Sequence, residues 1–182
     1  MTVKMNEKEL YQKCMTVVSK NEGGYVFDIN DPGGETYCGI SRKNNPDWEG
    51  WDIIDEYKKS HTLKRYDFIP GSYLESLIND FYEQKYWRSC NLFGITSPEI
   101  VLNIFDFAVN SGRSTAIKKA QVIAGVKVDG ICGWITKNAI NAFPEQLFIG
   151  TYRAARVNFL KSLKTYKYFG TGWLKRIKNT HF

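Results

Sequence analysis

Glu22 precedes a pair of glycines, and Asp28, Asp31, Glu35 and Thr36 follow it in the segment 22–36. Carboxyl groups gathered in this way suit acid-assisted cleavage of a glycosidic linkage. One acid, still protonated near neutral pH, gives its proton to the leaving oxygen, and a second carboxylate holds a water or stabilises positive charge at the sugar carbon. Glu22 has a physical reason to be the donor. It is expected in the last turn of the first helix, where the partial negative charge of the helix end disfavours a carboxylate. Cover from Tyr25 or Phe27 would act in the same direction. The same spacing also fits a glutamate that ends a surface helix, and Asp31 before Pro32-Gly33 fits an ordinary turn. Thr36 offers a hydroxyl able to position a water.

The elements that must hold these groups are mostly helices. Asn6 and Glu9 have capping-box spacing, and Leu10, Cys14, Val17 and Val18 fall on one helical face. That helix should stop at Gly23-Gly24. Residues 25–41 are rich in Gly, Asp and Asn and read as a long turn or a short irregular hairpin. A helix over Trp51–Lys59 and a connector over Leu63–Pro70 follow. Ser72 and Glu75 open a helix running to about Trp87. Ser97-Pro98 opens another that is apolar nearly all round from Ile100 to Val109, as a central buried helix should be. Further helices are expected over 114–124, 134–142 and 144–163, with a short one from about Gly172. The fold class is all-α, or α+β at most.

Asn103, Asp106 and Asn110 interrupt the apolar helix within an arc of roughly 60°, at about 100° per residue. They read either as groups facing a substrate or as a polar seam between helices, since buried amides must find partners in any case. Tyr86 and Trp87 read either as sugar-stacking rings or as core.

Composition narrows the setting. Hydrophobic residues make up 43% of the 182 and aromatics 15%, enough for a real interior. The net charge of +6 favours approach to a polyanion, whether nucleic acid, anionic membrane or cell wall. The basic residues surround no known nucleic-acid reading helix, so that partner is not expected. The four cysteines form no C-x-x-C pair and have no neighbouring histidine. They read as free buried thiols, and no metal site is expected. His61 and His181 lie in polar settings beside no nucleophile. Residues 1–20 lack the apolar core of a secretory signal, and no run approaches the ~20 apolar residues of a membrane span. The expectation is a chain made in the bacterial or host cytoplasm, without stable membrane insertion.

The motifs Glu22-Gly23-Gly24-Tyr25-Val26, Asp31-Pro32-Gly33-Gly34-Glu35-Thr36 and Gly39-Ile40-Ser41 closely resemble the N-terminal signature of glycoside hydrolase family 108. These are N-acetylmuramidases of phage and prophage origin with a lysozyme-like fold. The likeness continues through Phe81-Tyr82, Tyr86-Trp87, residues 105–112 and Val128-Asp129-Gly130, and ends near Gly172-Trp173-Leu174. It implies a lysozyme-like helical fold with one irregular loop or hairpin after the first helix. It also implies a hydrolase lobe over 1–90 and a peptidoglycan-binding lobe over 91–182, packed as one globule. Glu22 is then the catalytic acid. Asp31 and Thr36 resemble the Glu–Asp–Thr arrangement of phage lysozymes, although Thr36 stands one residue closer and Asp28 is an alternative to Asp31. Cys38 takes the place of a Tyr or another polar residue, Cys132 that of an aromatic, and Trp134 follows Gly133 where proline is commoner. Expected substrate contacts are Tyr25, Asp28, Tyr37, Tyr86, Trp87, Asn103, Asp106 and Asn110.

The activity so implied is hydrolysis of the β-1,4 bond between N-acetylmuramic acid and N-acetylglucosamine by a monomer that needs no cofactor. The protein would act on the wall, in host lysis or in secretion-linked remodelling, with a holin or another export partner to carry it there. A lytic transglycosylase, a chitinase and a non-catalytic peptidoglycan-binding secretion factor are the competing readings.

Overall fold

The first helix starts where its capping box places it. The Asn6 N–H donates to Glu9 Oε2 (2.9 Å), and the Glu9 N–H donates to Asn6 Oδ1 (3.0 Å). This helix, α1 (Glu7–Ser19), ends three residues before Glu22, earlier than its spacing suggested. Residues 20–21 form a turn, closed by the Glu22 N–H donating to the Ser19 carbonyl (3.1 Å). The computed structural model describes residues 5–27 and 34–182. The chain divides into two compact units, Ser19–Tyr82 and Met1–Val18 with Glu83–Phe182.

The unit Ser19–Tyr82 holds a three-stranded antiparallel sheet, β1 (Tyr25–Val26), β2 (Thr36–Tyr37) and β3 (Ile40–Ser41), and the helices α2 (Gly50–Lys58) and α3 (Ser72–Tyr82). Tyr25 pairs with Tyr37, and Tyr37 in turn with Ile40, so β2 and β3 are joined by the two residues Cys38 and Gly39. Both have positive φ (46° and 76°), as a tight hairpin turn with the right-handed twist of its strands requires. Tyr37, Ile40, Trp51, Ile54, Leu74 and Tyr82 make the core. Trp48 stands edge-on to Trp51 and Phe81 beside it.

The other unit is helical: α1, a π-helical turn (Glu83–Arg88), α4 (Pro98–Ser111), α5 (Arg113–Ala124), α6 (Trp134–Asn141), α7 (Glu145–Lys161) and α8 (Tyr166–Asn179). Ser97 caps α4 by accepting from the Ile100 N–H (3.1 Å). Residues 100–108 of α4 are buried all round, and α5 and α7 pack against it. Thus the protein is mostly helical with a small sheet after the first helix, as expected of the lysozyme-like class. Helix α8 begins six residues before Gly172 and runs through Gly170, which serves packing. A methyl group on Gly170 would lie 2.7 Å from the Tyr166 ring.

The polar stripe on α4 is a seam between helices. Asp106 is fully buried, with Arg156 Nη2 of α7 at 2.5 Å, Arg176 Nε of α8 at 2.9 Å and the Thr180 hydroxyl at 3.1 Å. Asn103 is buried too, donating to the Glu99 carbonyl (2.9 Å) and accepting from Arg153 Nε (3.0 Å). Burial alone would raise the Asp106 carboxyl, but the guanidinium groups of Arg176 and Arg156 outweigh it and hold it below the ordinary carboxylate range. A depressed carboxylate stabilises the fold above its unfolded pKa of about 4, and this contribution is lost as pH falls through the folded value. Asp106→Asn should therefore cost about 3–5 kcal/mol, by leaving buried guanidinium charge uncompensated. Denaturant midpoints at neutral pH would show it, and the deficit should narrow in strong acid, where the native Asp106 is itself protonated.

Candidate active site

Three stretches of the unit Ser19–Tyr82 converge on the Glu22-Gly23-Gly24-Tyr25 motif. The first is the strand pairing just described, extended by the Cys38 N–H donating to the Gly24 carbonyl (3.2 Å). The second is the connector after α2. The Tyr66 N–H donates to the Tyr25 carbonyl (2.7 Å), and the Tyr25 N–H donates to the Asp67 carbonyl (2.9 Å). Two residues on, the Ile69 N–H donates to the buried Tyr37 hydroxyl (2.8 Å). A Cβ at position 24 would stand 2.3 Å from the Asp67 carbonyl oxygen, so only glycine lets the two backbones run this close. The third is the C-terminal end of α3, where the Tyr82 hydroxyl donates to the Cys38 carbonyl (2.7 Å).

The Glu22 carboxyl meets the tight turn at Gly39. A Cβ on Gly39 would fall 2.3 Å from Glu22 Oε2 and 2.6 Å from the Tyr82 hydroxyl oxygen. Glycine is thus required twice over, by φ and by space. Oε1 of Glu22 is buried. Burial, and then the charge of Glu22, push the Cys38 thiol up to about 12. The cover on Glu22 therefore includes this turn, and Phe27, expected to shield it, is 62% exposed.

Glu35 is spoken for. Its carboxylate accepts from Arg42 Nη1 (2.6 Å), Lys58 Nζ (2.6 Å) and the Tyr25 hydroxyl (2.9 Å), and Arg42 also pairs with Asp55 of α2 (2.5 Å). Burial raises the Glu35 carboxyl, but the hydrogen bonds from Lys58 and Tyr25 and the charges of Lys58 and Arg42 leave it lowered. It is an ionised clamp between the start of β2 and α2, unsuited to donate a proton.

The other expected site residues are distributed as follows. Asp28 and Asp31 lie outside the described residues. Thr36 is half-buried on β2, with its hydroxyl 3.4 Å from the Val26 carbonyl. Tyr25 and Tyr37 stand close to Glu22 in sequence or pairing, but both rings are buried and both hydroxyls are engaged within the protein. Neither presents a free face for a sugar. Trp87 is a core ring as well, packed on Tyr11 and Phe105 with its Nε1–H donating to Glu7 (3.3 Å). Tyr86 is half-buried. Asn103 and Asp106 belong to the inter-helix seam, and half-buried Asn110 accepts from the Ser111 hydroxyl (3.2 Å). At these buried positions the fold itself supplies the partners of the polar tips, which favours the core or seam reading over ligand contact. No group of three His, Cys, Asp or Glu among the described residues is placed to hold a metal. No helix among them is long and apolar enough to cross a membrane.

Residues 15–112, more than half of the chain and including the whole of this arrangement, match the sequence family described as Glycosyl hydrolase 108. The chain belongs to glycosyl hydrolase family 108. This family 108 protein is a glycoside hydrolase whose substrate is peptidoglycan. Its fold is similar to that of Brucella abortus SagA, with a TM-score of 0.74 and 30% identity over 95% of this chain and 92% of SagA. No curated protein matches the sequence.

Gly39 and Tyr82 were quoted within motifs but not expected at the site. The signal for Gly39 was a two-residue, glycine-ended link between short β-prone runs, whereas nothing local marks Tyr82. Gly39→Ala should cut wall-lysing activity about a hundredfold, the order of loss that a ~1 Å displacement of a reacting group produces. Turbidity clearance of purified wall would check it. The four cysteines are free, three of them buried and Cys38 half-buried, with burial pushing Cys90 to about 12 and Cys132 to about 11 and also raising Cys14. At neutral pH a thiol reagent should label the native protein negligibly and all four sites once it is unfolded.

Proposed function

We propose that this hydrolase is an N-acetylmuramidase that cleaves the β-1,4 bond between N-acetylmuramic acid and N-acetylglucosamine, with Glu22 as its acid. The supporting observation is the seat of Glu22: one carboxyl oxygen is buried and the other lies against the Cys38–Gly39 turn. Such a seat supports the reading, because it holds the carboxyl in one orientation and partly out of water. Glu22 protonates the glycosidic oxygen as the bond to the anomeric carbon breaks. A water then adds to that carbon, oriented or deprotonated by a second carboxylate, and the net change is hydrolysis. Asp31 takes the second role in this scheme, with Asp28 as its alternative, and Thr36 positions the water.

We further read residues 91–182 as the part that grips peptidoglycan. The net charge of +6 draws the protein to an anionic wall. The setting is an endolysin or a wall-remodelling enzyme for secretion, acting as a monomer and reaching the wall through a holin or another export partner.

Glu22→Gln should fold as the parent does and lose wall lysis by at least a hundredfold, in the range ascribed to general acid catalysis. Full-rate lysis by a correctly folded variant would end the proposal. Mass spectrometry of products should show muramic reducing ends that have gained water. Anhydro ends would mean a transglycosylase instead.

A further inference from the structure

Tyr66 and Phe68 are large aromatic residues that the fold does not bury: 58% and 64% of their surfaces face solvent. Exposure by itself says little, because single apolar residues are common on protein surfaces. Their backbone says more. The segment that carries them is pinned to the Glu22 motif at three successive points, Tyr66 and Asp67 to Tyr25, and Ile69 to the Tyr37 hydroxyl. Asp67 also closes its own turn by accepting from the Lys64 N–H through Oδ2 (2.7 Å). The two rings therefore project from an anchored strip and not from a loose loop tip.

Tyr66 is also held at φ 72°, a conformation that suits glycine or asparagine and that a bulky residue rarely adopts. Backbone preference opposes a tyrosine here, and with more than half its surface in water, burial does little to select one. The side chain is left as the feature with a use. Its ring reaches the neighbourhood of the acid, for a Cβ built on Gly23 would stand 3.4 Å from Tyr66 Cδ1. The guanidinium of exposed Arg65 lies over one face of the ring, 5.0 Å from its centre, and supplies hydrogen-bond donors and positive charge there, which leaves the other face for a sugar.

From these observations we infer that Tyr66 and Phe68, with Arg65, form a sugar-binding platform for the glycan strand next to Glu22. The inference rests on the reading of Glu22 as the acid. An N-acetylated hexosamine has one face of C–H groups, which pairs with an aromatic ring, and a rim of hydroxyl and acetamide groups suited to a guanidinium. Peptidoglycan adds the carboxylates of its stem peptides, which complement Arg65. The occupant is therefore the sugar chain that continues from the bond being cut. Tyr25 and Tyr37, two of the rings expected to touch sugar, tether the strip that presents Tyr66 and Phe68, the first through its backbone and the second through its hydroxyl.

Calorimetric titration of peptide-free glycan chains into the full-length protein carrying Glu22→Gln tests this without turnover. Adding Tyr66→Gly or Phe68→Ala should weaken binding roughly tenfold each, equivalent to ~1.4 kcal/mol, whereas Tyr66→Phe should keep the affinity. Glycine relieves the positive φ at position 66, so Tyr66→Gly should melt no lower than its parent. In the active protein the same two substitutions should raise KM more than they lower kcat. Unchanged glycan affinity in folded Tyr66→Gly together with Phe68→Ala would overturn the platform. Full-rate lysis by Glu22→Gln alone would remove the acid assignment while leaving the binding comparison valid, so the two failures are distinguishable.

Discussion

The contact between the Glu22 carboxyl and the backbone of Gly39 constrains everything around it. It exists only because residues 38 and 39 both accept left-handed backbone geometry and because residue 39 has no side chain. The Tyr82 hydroxyl holds the turn from one side through the Cys38 carbonyl, and the Gly24 carbonyl holds its amide from the other. A three-stranded sheet with two-residue strands would be marginal alone. Here it is steadied by a helix end, by a connector and by a buried core of Trp51, Ile54 and Leu74. The Glu22 carboxyl is thus placed by turn geometry, and the helix that precedes it has already ended.

Charge is used as a fastener in both units, in the same chemical form. Asp106 accepts from two arginines and a threonine on α7, α8 and the residue beyond, and Glu35 accepts from a lysine, an arginine and a tyrosine. Each carboxylate is removed from water and repaid by several charge-assisted hydrogen bonds, the condition under which a buried ion can be kept. The geometry of such clusters is unforgiving, since each donor comes from a different element and a missing one strands the rest. This suits their places: Asp106 joins helices far apart in sequence, and Glu35 fixes the segment next to the Cys38–Gly39 turn.

Much of this was legible in the chain. The Asn6–Glu9 capping box, the Ser97-Pro98 start of α4 and its apolar circumference are local signals, and helices form where local signals agree. The Glu22 motif was legible as well, through its glycines and the carboxylates that follow. The polar residues of α4 were ambiguous because periodicity fixes their direction but not their partners. Arg156 and Arg176 lie 50 and 70 residues further on, and no spacing rule connects them to Asp106. The start of α8 was hidden for a related reason: the helix was expected only from about Gly172, while Gly170 lies inside it and makes room for the Tyr166 ring. Tyr66 escaped notice because its importance depends on a positive φ and on a backbone pairing with Tyr25, neither of which its neighbours encode.

The fate of Glu35 also sharpens the chemistry. Two carboxyl groups can share the work of glycoside cleavage only if their surroundings separate their roles. Glu35 is held ionised by two cations and a phenol, so it is excluded as the proton donor. The same contacts occupy both of its oxygens, one accepting from Lys58 and Tyr25 and the other from Arg42, which makes it a poor base toward water. Of the acids that cluster after Glu22, this leaves Asp28 and Asp31 for the second role in the proposed mechanism. It also gives Glu35 a reason to be where it is: a clamp at the entry to β2 holds the strand that leads directly into the Cys38–Gly39 turn, and through that turn it bears on the position of Glu22.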